Sequence, residues 1–238
     1  MARSITSCST MILLLLSVSV PAGAAVLLDA DFEGMNVDQP IGLGGAAAGE
    51  PVDVYNCVAT VRNAPFPSTC LEIDDETDFG TGYVIFGLLD DTEVVSGTVA
   101  IDLDFWFAEI NGYVFGVREY DTSMFSFNTI YINVIGQVRF NDANGYTGVF
   151  GTYEPGRAIH MRIIHDLDAG TYDLWWDGEK LLDDRAHGIT ERGIGTVMMG
   201  TAHDLDLDGL MYIDNLKVET EVSTAHETAA WGDVKAHW

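Results

Sequence analysis

The stretch Ile159 to Leu182, IHMRIIHDLDAGTYDLWWDGEKLL, constrains the fold more than any other part of the chain. Asp177-Gly178 is a two-residue hairpin signal, because a type I′ turn needs positive φ at both central residues. Around it Trp176 faces Glu179, Trp175 faces Lys180 and Leu174 faces Leu181. Upstream, Asp166-Leu167-Asp168-Ala169 reads as a four-residue loop closed by Gly170. That loop sets Ile163 opposite Tyr172, Met161 opposite Leu174 and Ile159 opposite Trp176. Side chains alternate faces along a strand. Ile159, Met161, Ile163, Tyr172, Leu174 and Leu181 therefore share an apolar face. His160, Arg162, Asp173, Trp175 and Lys180 share the other. Two independent turns give the same sorting, as a real meander should.

The same alternation runs through the rest of the chain. Val26 to Glu33 reads as a first strand, followed by a Gly/Ala-rich loop, Gly34 to Gly49. Val52 to Val61, Cys70 to Ile73, Gly82 to Leu89 and Thr98 to Phe107 are further strands. So are Gly112 to Glu119, Asn128 to Phe140, a segment near Gly195 to Thr201, and Leu210 to Glu219. In Thr98 to Phe107, Asp102, Asp104 and Trp106 take the face opposite Ile101, Leu103 and Phe105. In Asn128 to Phe140, Ile130, Ile132 and Val134 face in, while Tyr131 and Asn133 face out. No stretch sustains a helical period. About twelve strands with Gly, Asn and Asp turns predict an all-β fold, a two-sheet antiparallel β-sandwich or jelly roll.

The N-terminus reads as a secretory signal: Arg3, the apolar run Met11 to Val20, and an A-x-A site at Ala22-Gly23-Ala24. The apolar run is too short to span a bilayer. The expected organisation is a signal peptide at 1–24, one domain at 25–219 and a weakly ordered tail at 220–238. That places the protein outside the cytoplasm, secreted, extracellular or periplasmic. Trp231-Gly232-Asp233-Val234-Lys235-Ala236 resembles short tails of some secreted bacterial proteins, which implies sorting or attachment.

Cys57 and Cys70 are the two cysteines beyond the signal. In an oxidising compartment a disulfide between them is the default. It would close a loop of about 14 residues and stabilise by roughly 3 kcal/mol. Two buried free thiols are the alternative. The formal net charge of −26 argues against nucleic acid, whose binding needs clustered cations, and equally against anionic lipid. It suits solubility, divalent cations or a high-salt setting.

Three places resemble bacterial members of the concanavalin A-like lectin/glucanase superfamily, the laminin-G-like jelly rolls. They are Asp31-Phe32-Glu33-Gly34, the hairpin core Gly170 to Gly178, and Tyr212-Ile213-Asp214-Asn215-Leu216-Lys217-Val218. The resemblance implies a first strand paired with the last. It implies fold more than function, because such sandwiches host lectins, glycanases, lyases and adhesion modules. Carbohydrate-binding-module sandwiches have similar end motifs, so the topology within the class stays open.

Three candidate sites follow. Asp102, Asp104, Trp106, Arg118, Tyr131, Asn133, His160, Arg162, Asp173 and Trp175, with Arg139 and Lys180, all point away from the core of their own strands. Resembling folds bind glycans on a sheet face with this mixture. An aromatic ring stacks on a sugar's C–H face, and Asp, Asn and Arg bond its hydroxyls. The same residues also fit a solvated face, with Arg162–Asp173 as a cross-strand ion pair and Lys180 over Trp175. Second, Glu72, Asp74 and Glu76 match the E-x-D-x-E spacing of family-16-like glycanases of the superfamily. Resemblance makes the first Glu the nucleophile and the last the acid/base, although the motif sits early and runs into a turn. Third, Asp204, Asp206 and Asp208 before Gly209 begin like a calcium loop, with Asn215 where an EF-hand needs Glu. Resembling sandwiches also hold Ca²⁺ between first and last strands, which implicates Glu33 and Asp214.

The leading expectation is a non-catalytic module that binds glycan or other extracellular surface material, stabilised by Ca²⁺. The alternatives are a glycoside hydrolase of the same fold and a structural surface protein without a small ligand.

Overall fold

The computed structural model describes residues 24–75, 82–119, 126–143, 145–146, 148–188, 192–201 and 209–221. The signal peptide, Glu76, the Asp204, Asp206 and Asp208 loop and the tail beyond 221 lie outside them. Sixteen strands are described. They are β1 (Val26–Ala30), β2 (Asp53–Tyr55), β3 (Val58–Arg62), β4 (Cys70–Asp74), β5 (Gly82–Gly87) and β6 (Thr98–Phe107). There follow β7 (Tyr113–Arg118), β8 (Ser126–Ile132), β9 (Gln137–Asp142), β10 (Gly145–Tyr146) and β11 (Gly151–Thr152). The last are β12 (Ala158–Asp166), β13 (Thr171–Trp176), β14 (Glu179–Ala186), β15 (Thr196–Thr201) and β16 (Leu210–Glu221).

The strands form two antiparallel sheets packed as a β-sandwich. Sheet one runs β14-β13-β12-β6-β16-β4-β3, with β1 also paired to β16. Sheet two runs β10-β9-β8-β7-β15-β5-β2, with β11 on β9. The first strand does pair with the last, Ala30 opposite Leu216. The core fills the gap between the sheets. Phe105 of sheet one meets Phe115 of sheet two edge-on at 6.0 Å, and Phe107 meets Tyr113 at 4.6 Å. Ile101, Leu103, Ile159, Met161, Ile163 and Leu174 are all fully buried, which is the face that alternation assigns to them.

The hairpin keeps its predicted faces but changes its register. Asp177 and Gly178 both have positive φ, as a type I′ turn requires, and Trp175 faces Lys180. Across β12 and β13, however, Ile163 faces Leu174 and Met161 faces Trp176, two residues from the expected pairing. The loop is Leu167–Gly170, because the Asp166 carboxylate accepts the amides of Asp168 and Ala169 and the strands pair up to Asp166–Thr171. A shift of two preserves every face, whereas a shift of one would have reversed them. An irregularity at Leu181 moves the partner of Leu174 from Leu181 to Leu182, and a second follows at Asp183 and Asp184. There Asp184 has φ of 48°, and its amide donates to Asp173.

Three other expectations are corrected. Val52 to Val61 is not one strand: β2 belongs to sheet two and β3 to sheet one, with Asn56 at φ 51° making the crossing. Asn128 to Phe140 is likewise two strands, turned at Asn133–Gly136. The Asn133 carboxamide oxygen accepts the amides of Ile135 and Gln137, so Asn133 builds a turn and Val134 does not enter the core. Finally, Cys57 and Cys70 are both free thiols. Cys70 lies opposite Arg62, at the far end of β3 from Cys57. Five residues of strand separate Cys57 from Arg62, roughly 16 Å. A disulfide tolerates Cα atoms only about 7 Å apart.

Candidate functional site

The sandwich has two outer faces, and the residues singled out by sequence divide between them. Asp102, Asp104, Trp106, His160, Arg162, Asp173, Trp175 and Lys180 share the outer face of sheet one. Arg118, Tyr131 and Arg139 belong to sheet two, on the opposite side of the molecule, and Asn133 to the turn between its strands β8 and β9.

On sheet one, pairing in register lines up Lys180, Trp175, Arg162, Asp102, Lys217 and Asp29 across six strands. The row is internally neutralised. Arg162 donates to Asp102 at 2.6 Å. Lys180 pairs with Asp173 at 3.0 Å and with Asp183, and its ammonium lies 5.0 Å from the centre of the Trp175 ring. His160 bonds Asp104 at 2.8 Å and lies 3.5 Å from Asp102. Trp106 is half-buried, because the loop at residues 63–69 folds over it and sets Phe66 edge-on at 6.1 Å. A ligand here has to displace existing partners.

The acidic motif occupies the same face. Glu72 accepts from Arg62 at 2.7 Å and from the Tyr212 hydroxyl, and its side chain is 13% exposed. Asp74 follows on the same side of β4, and Glu76 lies outside the described residues. Asp173, Asp183 and Asp184 are the one trio of potential metal ligands within mutual reach among the described residues, but Lys180 already sits on two of them.

Asp214, between Asp104 and the first strand's end, is fully buried. Its carboxylate accepts from the Ser68 hydroxyl and, at 2.7 Å, from the Asn215 amide. Burial pushes this carboxyl above its ordinary range, and the charges of Asp104 and Glu33 add to the rise. Glu33 itself accepts only the Thr69 amide, at 3.1 Å, among the bonds described, and Asn215 donates to Asp104 at 2.8 Å. The charges of Glu33 and Asp104 are felt at Asp214, but the oxygens of these three carboxylates do not all lie within mutual reach of one another.

Sheet two presents a different surface. Register places Tyr55, Tyr83, Gly200, Val114, Tyr131 and Arg139 in one row across six strands. The Tyr55 and Tyr83 rings stack at 5.0 Å and 24°. Tyr55 is 48% exposed; Tyr83 and Tyr131 are half-buried. Gly200 interrupts the row because a Cβ there would collide with the Gly82 carbonyl oxygen and the Tyr83 Cα. The next row holds Ile85, Met198, Gly116 and Thr129, so a second glycine lies beside the first. Packing does not demand Gly116: a Cβ would meet only the ends of Met198 and Arg118, no nearer than 3.6 Å. The result is a shallow apolar floor between tyrosines, flanked by Arg118 and Arg139. Sequence reasoning found Arg118, Tyr131 and Arg139 but missed Tyr55, Tyr83 and Met198. Their alternation was visible, but the sheet neighbours that make them a surface were not.

Neither family models nor curated protein sequences match this chain. Solved structures do. The chain is similar to a carbohydrate esterase of the Shiga toxin-encoding bacteriophage phi24B, with 11% identity and a TM-score of 0.56, covering 84% of this chain and all of that one. It is similar to the catalytic domain of a glycoside hydrolase family 131 protein from Coprinopsis cinerea, with 10% identity and a TM-score of 0.53, covering 81% and 93%. It is also similar to Trypanosoma rangeli sialidase, with 14% identity and a TM-score of 0.52, covering 87% of this chain but 32% of the sialidase. These likenesses establish the fold. Among the described residues, no helix is long and apolar enough to cross a membrane.

Proposed function

We propose that this protein is an exported, non-catalytic carbohydrate-binding module whose ligand lies across the outer face of sheet two. The observation that carries the reading is the row Tyr55, Tyr83, Gly200, Val114, Tyr131. Tyrosine faces offer stacking surfaces for sugar C–H groups, and hydroxyls and flanking guanidinium groups offer hydrogen bonds. The glycine between Tyr83 and Val114 keeps the floor low. Tyr83 and Tyr131 are three strand spacings apart, roughly 14 Å, so an oligosaccharide fits the row better than a single sugar. Similarity in fold to an esterase, a glycoside hydrolase and a sialidase supports a carbohydrate ligand. The leader-like N-terminus supports export, where glycans or other surface material are the partners.

The non-catalytic reading is supported by Glu72, whose carboxylate is held by Arg62 and Tyr212. Ca²⁺ has a structural part in this proposal: Asp214 and Glu33 would hold it, tying the first strand's end to the last strand.

The test is binding to a broad glycan array and to insoluble polysaccharides, with and without EDTA. Retention that disappears in Tyr83→Ala and survives in Trp175→Ala supports the assignment. Loss in Trp175→Ala alone moves the site to sheet one. Release of reducing sugar, abolished by Glu72→Gln, would replace a binding module with a hydrolase.

A further inference from the structure

At the end of the sandwich where β12 turns into β13, buried polar groups gather without partners. His165, at the end of β12, is fully buried, and neither ring nitrogen has a hydrogen bond. His187, just after β14, has its Nε2 buried and unpaired. Asn128, on β8, is fully buried with both carboxamide atoms unpaired. The two imidazoles are neighbours. Their ring centres are 5.9 Å apart, and Phe127 packs edge-on against both, at 5.7 and 5.0 Å. Tyr172 stacks on His165 at 5.4 Å, but its hydroxyl is turned to Asp142.

A buried donor or acceptor left unsatisfied loses its hydration and gains no bond in return. Several together, in a structure whose other polar groups are largely paired, indicate an occupant. The tautomers narrow its chemistry. His187 Nδ1 lies 2.7 Å from the Gly188 carbonyl oxygen, which accepts only from a protonated nitrogen. In the neutral ring the buried Nε2 then carries the lone pair, fixed in direction by that backbone bond, as in metal-ligating histidines.

Geometry agrees. A metal about 2.0–2.1 Å from a ring nitrogen lies roughly 3.2 Å from the ring centre. Two imidazoles sharing one ion at a tetrahedral to linear angle then have centres roughly 5.2–6.4 Å apart. The observed separation falls inside that range. His187 also lines a cavity of about 280 Å³, with Val94, Val95, Phe127 and Leu167. Arg192 at its rim is paired with Glu93 at 2.9 Å, so its charge is compensated.

We propose that His165 and His187 jointly bind a transition-metal ion of the Zn²⁺ or Cu²⁺ class, with the adjoining cavity supplying water or a small donor as its remaining ligands. Two imidazoles suit such borderline ions and not Ca²⁺. The site is independent of the glycan-binding face and of the acidic cluster around Asp214.

The test uses the full chain, made without a histidine tag and stripped with chelator, titrated with Zn²⁺ at high salt to screen its acidic surface. Calorimetry gives stoichiometry, and proton–nitrogen correlation spectra of the imidazoles report which nitrogens are ligated. The expected result is one equivalent bound, with the ring nitrogens of His165 and His187 moving and those of His160 still. His187→Gln should weaken binding by about 100-fold or more. If His165→Gln fails to fold, the half-buried His187 variant and the spectra of the unaltered chain still decide the matter. No Zn²⁺ or Cu²⁺ binding, binding unchanged in His187→Gln, or binding lost in His160→Gln overturns the proposal.

Discussion

Tyr55 and Tyr83 sit opposite each other on β2, an edge strand of sheet two, and its neighbour β5, their rings stacked 5.0 Å apart and within 24° of parallel. Nothing in the core needs this pair. Both side chains lie on the side of the sheet away from the sandwich interior, and Tyr55 is largely solvent-facing. Removing either ring is therefore expected to change stability by less than about 1 kcal/mol. A urea midpoint close to that of the unaltered protein in Tyr55→Ala and Tyr83→Ala checks this, and makes any loss of ligand interpretable.

The interior should respond differently. Phe105 is 1% exposed and packs against Phe107, Phe115 and Trp176, joining the two sheets. Phe105→Ala removes most of a large side chain and leaves a cavity, a cost of about 3–5 kcal/mol. Urea unfolding followed by tryptophan fluorescence should show a midpoint shift of that size.

The thiols give a redox and a pH prediction. With no bridge to break, a reductant should leave the melting temperature unchanged. Burial pushes the Cys57 thiol up to about 12 and Cys70 to about 11, with Asp75 adding to the rise at Cys57 and Asp214 at Cys70. The folded state therefore holds these protons more tightly than the unfolded chain. That stabilisation is fully present below about pH 8.5, the ordinary thiol value. It is lost as pH rises from there toward the folded values, by at most about 1.4 kcal/mol per pH unit for each thiol. Urea midpoints from pH 8 to pH 11 should fall more steeply in the unaltered protein than in a Cys57→Ala, Cys70→Ala variant. Both thiols should resist alkylation until the chain unfolds.

Calcium should stabilise the sandwich through the acidic cluster. Added Ca²⁺ is expected to raise the melting temperature and EDTA to lower it. Asp214→Asn should abolish the difference, because Asp214 is the buried carboxylate of the pair it makes with Glu33. A calcium response undiminished in that variant would move the ion elsewhere.

The ion pairs of sheet one should matter little for either property. Arg162 and Asp102 are partly exposed, at 32% and 19%, and solvent screens such pairs. Asp102→Asn is expected to cost at most about 1 kcal/mol and to leave glycan retention unchanged, measured by denaturation and by pull-down on the same preparation.

The alternation in Thr98 to Phe107 and in the hairpin was readable directly, because a period of two and a type I′ turn are local properties of the chain. These local rules placed the buried face of sheet one residue by residue. Register was less accessible: the Asp166 side chain, by capping its own loop, moved the pairing of β12 and β13 by two. Sheet membership was not readable at all. Nothing local says that the chain changes sheets at Asn56, yet that crossing leaves Tyr55 beside Tyr83. Sheet membership is also why Arg118 and Tyr131 do not share a surface with Trp175. The His165–His187 pair was hidden for the same reason, since 22 residues and two turns separate its members.

The most direct test of the glycan-binding assignment is retention of the protein on the polysaccharide that gives the strongest array signal, compared among the unaltered chain, Tyr83→Ala and Trp175→Ala. Tyr83→Ala is expected to lose retention at least 10-fold while Trp175→Ala keeps it, consistent with about 1–3 kcal/mol for a buried aromatic contact. Equal retention by all three proteins, or loss confined to Trp175→Ala, would contradict it.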